Sequence, residues 1–337
     1  MLRSMRLPSQ RSLGTLAGFT LTLLFSALFN SPIAHGQNAT PTVKEIYEKA
    51  LKRNQLIKSL SLEAVVERME FPGASGKKAP AVTTSRETFA FLDDKRLSKR
   101  APVPGPGDKP EDSSRTHIFN GKTTFMLDPG FVLISDKKAP QCDQESYCLD
   151  FLSLALSEED KARQQVNLSF PLSLNPVPPF PLRSLPYKVL PTMEAVDGQP
   201  CCVVELAGRD RLWVDPQLGF ALRQRIKLEN PGTDKTPYKS HHYTLSDYTE
   251  AALGVWVPKK VSLVYFRQEM KAGKLVNQPA IAIRIQVESI KINQIDAQFF
   301  NPEVRPKTIL VNKVGSIIVG GDKPIRLNDI DPGFKPK

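Results

Sequence analysis

Apolar and polar residues alternate with a period of two along most of this chain, and one stretch near the start repeats with a helical period. In that stretch Val43, Ile46, Tyr47, Ala50 and Leu51 form a single apolar stripe. Thr42-Val43-Lys44-Glu45 has capping-box spacing, in which the Thr hydroxyl and the Glu carboxylate satisfy free backbone N–H groups. Together they predict an amphipathic helix from Thr42 to about Ile57, with Glu45/Lys49 and Glu48/Lys52 as i,i+4 pairs on its outer side. From Ser59 the period is two: Leu60, Leu62, Ala64 and Val66 share a face, and Phe89 and Phe91 share one within 86–92. Further strands are predicted at 115–119, 123–127, 131–135, 187–196, 201–206, 211–215, 220–228, 242–248, 255–266 and 280–292. Asn120-Gly121 and Asp197-Gly198 sit between such runs as hairpin turns, and Pro216-Gln217-Leu218-Gly219 makes a third turn. The reading is an antiparallel meander of about eleven strands.

Two segments break the pattern. Leu149, Leu152 and Leu156 share a helical face, and Ser157-Glu158-Glu159-Asp160 starts a second helix. Residues 171–186 then carry six prolines and read as an extended connector, since proline cannot donate to a central ladder. Residues 101–114 read as an exposed loop, and 309–319 as an added edge strand. The last fifteen residues look poorly ordered.

The later strands are strongly one-sided. Leu212, Val214, Leu222 and Ile226, then Ile281, Ile283, Ile285 and Val287, make an aliphatic inward face. Arg211, Asp215, Arg223, Arg225 and Lys227, then Arg284, Gln286 and Glu288, make the opposite face polar. A long sheet of this kind wets one side and must cover the other. It does so by curling around its apolar side, with a few helices as cover. The predicted fold is therefore mainly β (α+β), a half-open antiparallel β-barrel, and the eight aliphatic residues are the candidate lining of an apolar ligand cavity.

The first thirty-six residues change the setting. Arg3, Arg6 and Arg11 precede an apolar run from Leu13 to Phe29, followed by Asn30-Ser31-Pro32 and the small residues of Ala34-His35-Gly36. That order is a secretory signal peptide over 1–36, with a mature start near Gln37 and a periplasmic or secreted destination. An oxidising compartment makes disulfides plausible for the four cysteines. Cys142 and Cys148 bracket a short polar loop and are the favoured pair. Cys201 and Cys202 are neighbours on a strand, point to opposite faces, and one of them is expected to be buried as a small apolar residue. The net charge of +11 is spread along the chain and reads first as a solubilising surface, second as an affinity for anionic neighbours such as lipid headgroups or a cell-wall polymer.

Catalytic chemistry finds little support. His241 and His242 are strand neighbours facing opposite ways and His117 is isolated, so no metal site is expected. Nucleophile-elbow, zincin, Walker and dinucleotide motifs are missing from the sequence. Trp213 and Trp256 read as packing residues. No catalytic residue and no cofactor is expected, and the basic residues lack the aromatic interleaving of a nucleic-acid binder.

The segment Leu212-Trp213-Val214-Asp215-Pro216-Gln217-Leu218-Gly219-Phe220-Ala221-Leu222-Arg223 resembles the strand–turn–strand signature of the periplasmic lipoprotein-carrier superfamily (LolA/LolB-like, including the RseB-type stress sensors). The helix starting at Thr42 and the closing Phe299-Phe300-Asn301-Pro302 are similar to that family's arrangement. The resemblance implies a LolA-like half-barrel over 37–305, followed by a partly disordered C-terminal extension over 306–337. It implies a non-enzymatic envelope protein that holds a lipid or acylated lipoprotein in an apolar cavity, as in outer-membrane lipoprotein sorting and transport. The alternative it leaves open is a sensor or scaffold that binds an envelope membrane protein through the same barrel. An envelope hydrolase is a third, weaker reading. The chain lacks the lipobox cysteine of the lipid-anchored branch.

Overall fold

The computed structural model describes residues 40–73, 79–93, 95–103, 114–135, 187–229, 237–271 and 274–335. The leader, the Cys142/Cys148 pair, the helical stretch at 149–160 and the proline-rich connector at 171–186 lie outside these residues.

Helix α1 spans Val43–Gln55 and is the one α-helix among the described residues. Its start obeys the sequence. The Thr42 N–H donates to Glu45 Oε2 at 2.7 Å, and the Glu45 N–H donates to Thr42 Oγ1 at 3.2 Å. Ile46 and Ala50 are buried, and the Lys49 ammonium lies 5.1 Å from the Phe220 ring centre. An i,i+4 ion pair joins Lys44 to Glu48 at 3.7 Å.

The strands follow in order: β1 Ser59–Glu70, β2 Ala81–Leu92, β3 Lys95–Pro102, β4 Arg115–Phe119, β5 Thr124–Asp128 and β6 Phe131–Ser135. After residue 187 come β7 Lys188–Val189, β8 Glu194–Val196, β9 Gln199–Leu206, β10 Asp210–Asp215, β11 Ala221–Glu229, β12 Tyr238–Ala252, β13 Val255–Lys271 and β14 Lys274–Ile292. Four short strands finish the chain: β15 Glu303–Val304, β16 Ile309–Val311, β17 Ser316–Ile318 and β18 Ile325–Arg326. Sixteen of them form one sheet, in the order β17-β16-β6-β5-β4-β3-β2-β1-β14-β13-β12-β11-β10-β9-β7, with β8 also on β9. The sheet is open, ending at β17 and β7. All pairings are antiparallel except β16 on β6.

The sheet therefore has more strands than the eleven expected. Strand β3 (Lys-Arg-Leu-Ser-Lys-Arg-Ala-Pro) buries only Leu97 and shows no apolar alternation to read. The run 187–196 divides into β7 and β8, and 309–319 forms the β16–β17 hairpin.

Burial separates the two faces. On one face Leu60, Leu62, Ala64 and Val66 of β1, Phe89 and Phe91 of β2, Leu245 of β12, Val261 and Leu263 of β13, and Ile283, Ile285 and Val287 of β14 belong to the largest core cluster. On the other face Ala90, Leu97, Ile118, Phe125 and Ile134 of β2–β6 are covered by Phe300, Val304, Leu310, Val319, Leu327 and Ile330. Residues 306–335 thus supply three strands and part of this second core. Asn120 Oδ1 accepts from the N–H groups of Lys122 and Thr123 in the β4–β5 turn, and its amide bonds Asn328 at 2.7 Å, tying that turn to the chain's end.

Candidate functional site

The aliphatic face is built row by row across the strands. Val66, Ile285, Val261 and Leu245 are consecutive partners across β1, β14, β13 and β12. The next row runs Ile283, Leu263, Tyr243, Arg225, Leu212 across β14 to β10. Ile283, Ile285 and Val287 are buried in this cluster and Ile281 packs against it. Val214 is buried in a neighbouring cluster with Ile46 of α1, Cys202, Val204 and Phe220, where Leu212 also packs. Leu222 touches both clusters and joins them. Seven of the eight aliphatic residues thus share one face.

Ile226 does not join them. The β10–β11 register slips between Trp213/Gln224 and Val214/Leu222, leaving Arg223 as an extra residue in a β-bulge. One extra residue reverses the side-chain alternation of everything after it. Ile226 therefore packs with Val196, Cys201, Val203 and Trp213 on the other face. The same slip turns Arg225 inward. The sequence placed Arg225 and Asp215 on the polar face, yet both are buried, at 2% and 1% exposure.

An inward arginine needs a charge partner, because a lone buried ion is costly. Asp210 provides it, accepting from Arg225 Nε at 2.9 Å and Nη2 at 2.6 Å. The Tyr187 hydroxyl donates to the same carboxylate at 3.3 Å, and the Tyr243 ring lies 6.0 Å from the guanidinium. Asp210 raises the Arg225 pKa further, against the pull of desolvation. The Tyr187 phenol is pushed up by burial and then by Asp210.

The twelve-residue signature acquires a physical meaning around Asp215. Its Oδ1 caps the 3-10 turn by accepting from the Gln217 N–H at 2.8 Å, and its Oδ2 accepts from Arg223 Nε at 2.7 Å. Gly219 closes the turn at φ 63°, a left-handed conformation that glycine adopts without a Cβ penalty. The Arg223 guanidinium lies 5.1 Å from the Tyr248 ring centre, and the Tyr248 hydroxyl donates to the Leu222 carbonyl. This network fixes the corner where the two apolar clusters meet.

Cys201 and Cys202 point to opposite faces and both are buried as free thiols. Burial pushes the Cys201 thiol up to about 11, with the Asp215 charge adding to it, and raises Cys202 as well. Trp213 is buried, and its indole N–H donates to Glu194 Oε2 at 2.8 Å. His241 bonds Ser240 and stands edge-on to Tyr265, while the His242 Nε2 is buried with no hydrogen-bond partner. Among the described residues no group of three His, Cys, Asp or Glu is placed to hold a metal ion.

A groove of about 430 Å³ opens on the reverse of the aliphatic face. Glu67, Arg284, Ser262 and Thr244 form one row in it, and an ion pair of 3.1 Å joins Glu67 to Arg284. Arg284 and Gln286 were read as polar-face residues, and both line it.

No protein-family model matches the chain, and no curated protein does. Among solved structures it is similar to the LolA superfamily protein NE2245 from Nitrosomonas europaea, at 12% identity over 78% of this chain and 98% of that one, with a TM-score of 0.39. It is also similar to an outer membrane lipoprotein-sorting protein domain from Vibrio parahaemolyticus, at 9% identity over 76% and 94% of the two chains, TM-score 0.40. LprF from Mycobacterium bovis matches at 12% identity over 77% and 98%, TM-score 0.24. The first of these carries the name of the superfamily that the sequence signature resembles.

Proposed function

We propose that the chain is a non-enzymatic envelope protein that binds a lipid or an acylated lipoprotein against the aliphatic face of its open sheet. The observation that carries this reading is the apolar surface made by Val66, Ile285, Val261 and Leu245 and continued through Ile283 and Leu263 to Leu222 and Val214, with the Arg225–Asp210 pair set into it. These side chains are buried, Leu222 partly, so a guest must displace what they pack against. The cover seen over Val214 is α1. Its described buried contacts are Ile46 and Ala50, with Lys49 resting on Phe220. Burying one isoleucine contributes about 2 kcal/mol, and an exposed cation–π contact about 0.5–1 kcal/mol. A guest chain burying a dozen methylenes gains about 10 kcal/mol, at ~0.8 kcal/mol each. That gain is set against the contacts α1 gives up and the freedom lost on association, about 4–15 kcal/mol.

The test is native mass spectrometry of protein purified from its own envelope, with titration of a dansylated fatty acid. Co-purified lipid and saturable uptake that palmitate competes away are expected. A ligand-free species that also ignores the probe overturns the reading.

A further inference from the structure

The β13–β14 hairpin runs past its neighbours. Strand β1 pairs with β14 as far as Glu70 and Ile281, and β12 pairs with β13 from His241 and Tyr265. Beyond these, β13 and β14 pair with each other through six register pairs, from Phe266/Pro279 to Lys271/Lys274, and Phe71, Pro72 and Lys239 touch the first of them. Only the last two pairs, Met270/Leu275 and Lys271/Lys274, are exposed. The root of the hairpin is fastened: Arg267 donates to the Phe71 and Pro72 carbonyls at 3.2 and 2.6 Å and pairs with the buried Glu269.

The end of the hairpin has the opposite character. Met270 and Leu275 are directly opposed partners and are 61% and 45% exposed. Lys271 and Lys274 form the next pair, also exposed. Like charges set directly opposite each other destabilise a strand pair, and exposed apolar side chains at a tip gain nothing from folding. The sequence has no acidic residue from Met270 through Val287. Both costs vanish against one kind of surface. An anionic bilayer places phosphate groups beside the lysines and, a few ångströms deeper, hydrocarbon beside Met270 and Leu275. An acidic protein surface would answer the lysines but not the apolar pair. We infer that this hairpin tip docks the protein onto anionic lipid bilayers. The inference rests on the lipid-binding reading and gives it a place: the tip would hold the apolar face near the membrane from which a guest is taken.

The test uses the full chain, co-sedimented with phosphatidylcholine vesicles with and without phosphatidylglycerol. Binding that requires phosphatidylglycerol and weakens with added salt is expected. Lys271→Gln/Lys274→Gln should lower partition roughly tenfold or more, and Met270→Ser/Leu275→Ser should lower it at constant charge. Leu253→Ser, at the far end of the sheet on a residue 92% exposed, should leave it unchanged. Equal partition of the wild type and both tip variants, or no phosphatidylglycerol-dependent binding at all, overturns the inference. Uptake of the dansylated fatty acid from solution is measured on the same samples. Uptake without vesicle binding sinks the docking tip alone, whereas vesicle binding without uptake sinks the cavity reading and leaves the tip standing.

Discussion

Arg225 and Asp210 make a two-point ion pair inside the apolar face, with N–O distances of 2.9 and 2.6 Å and side chains only 2% and 7% exposed. The pair owes its place to the bulge at Arg223, which turns Arg225 from the wet side to the dry one. Breaking such a pair from one side leaves a buried charge without compensation. Arg225→Leu should therefore cost about 3–5 kcal/mol of stability in urea unfolding. Asp210→Leu combined with Arg225→Leu should recover most of that loss, since two apolar groups ask for no partner. A single substitution costing under about 1 kcal/mol would show that water reaches the pair and that it holds nothing together.

His242 gives the fold a pH dependence of definite sign. Burial, and then the nearby Lys239 charge, lower its pKa below the ordinary 6.5. The unfolded chain then binds a proton more readily than the folded chain just below that pH. Stability from this residue is complete above 6.5 and is lost as the pH falls toward the lower folded value. Thermal unfolding at pH 7.5 and at pH 5 should show the loss, and His242→Gln should reduce the difference. An unchanged pH slope in that variant would place the acid sensitivity elsewhere.

The parts of this fold that were legible in the sequence are those fixed by local chemistry. Thr42 and Glu45 announce a helix because their side chains close its own N–H groups. Asn120-Gly121 and Asp215 to Gly219 announce turns because only certain residues tolerate the backbone there. The aliphatic side of β14 was legible because its inward alternation from Ile281 through Val287 is uninterrupted. What was not legible depends on partners distant in the chain. The bulge at Arg223 exists only in the register with β10, so an even count along 220–228 misplaced Ile226 and Arg225. Strand β3 is held by its neighbours β2 and β4 and by one buried leucine, which leaves almost no trace in its own residues. The overhanging tip of β13–β14 was likewise invisible, because exposure of Met270 and Leu275 follows from where β1 and β12 stop.

The adjacent cysteines should behave as inert core residues. Both are buried, and Cys201 ionises only near pH 11. Since the thiolate is the reactive form, iodoacetamide at pH 8 should leave the peptide carrying residues 201–202 unmodified in the folded protein and label it fully in denaturant. Mass spectrometry of that peptide reads the result. Rapid labelling of either position without denaturant would mean that the β9–β10 corner opens on its own.

Helix α1 offers the sharpest handle on guest binding, because its anchoring can be weakened without touching the sheet. Thr42→Ala removes one member of the capping box and should loosen the helix by about 1 kcal/mol. Ile46→Ala removes a buried side chain of the helix from the cluster with Cys202, Val204, Val214 and Phe220. If α1 is a cover that a guest displaces, both changes lower the cost of displacing it. Each kilocalorie removed should then tighten apparent fatty-acid affinity about fivefold, by mass action on the open state. If α1 is instead part of the wall that grips the guest, the same changes must weaken affinity. Titration of the dansylated fatty acid into the two variants separates these outcomes by sign alone, and a loss of affinity in both would remove α1 from the route of entry.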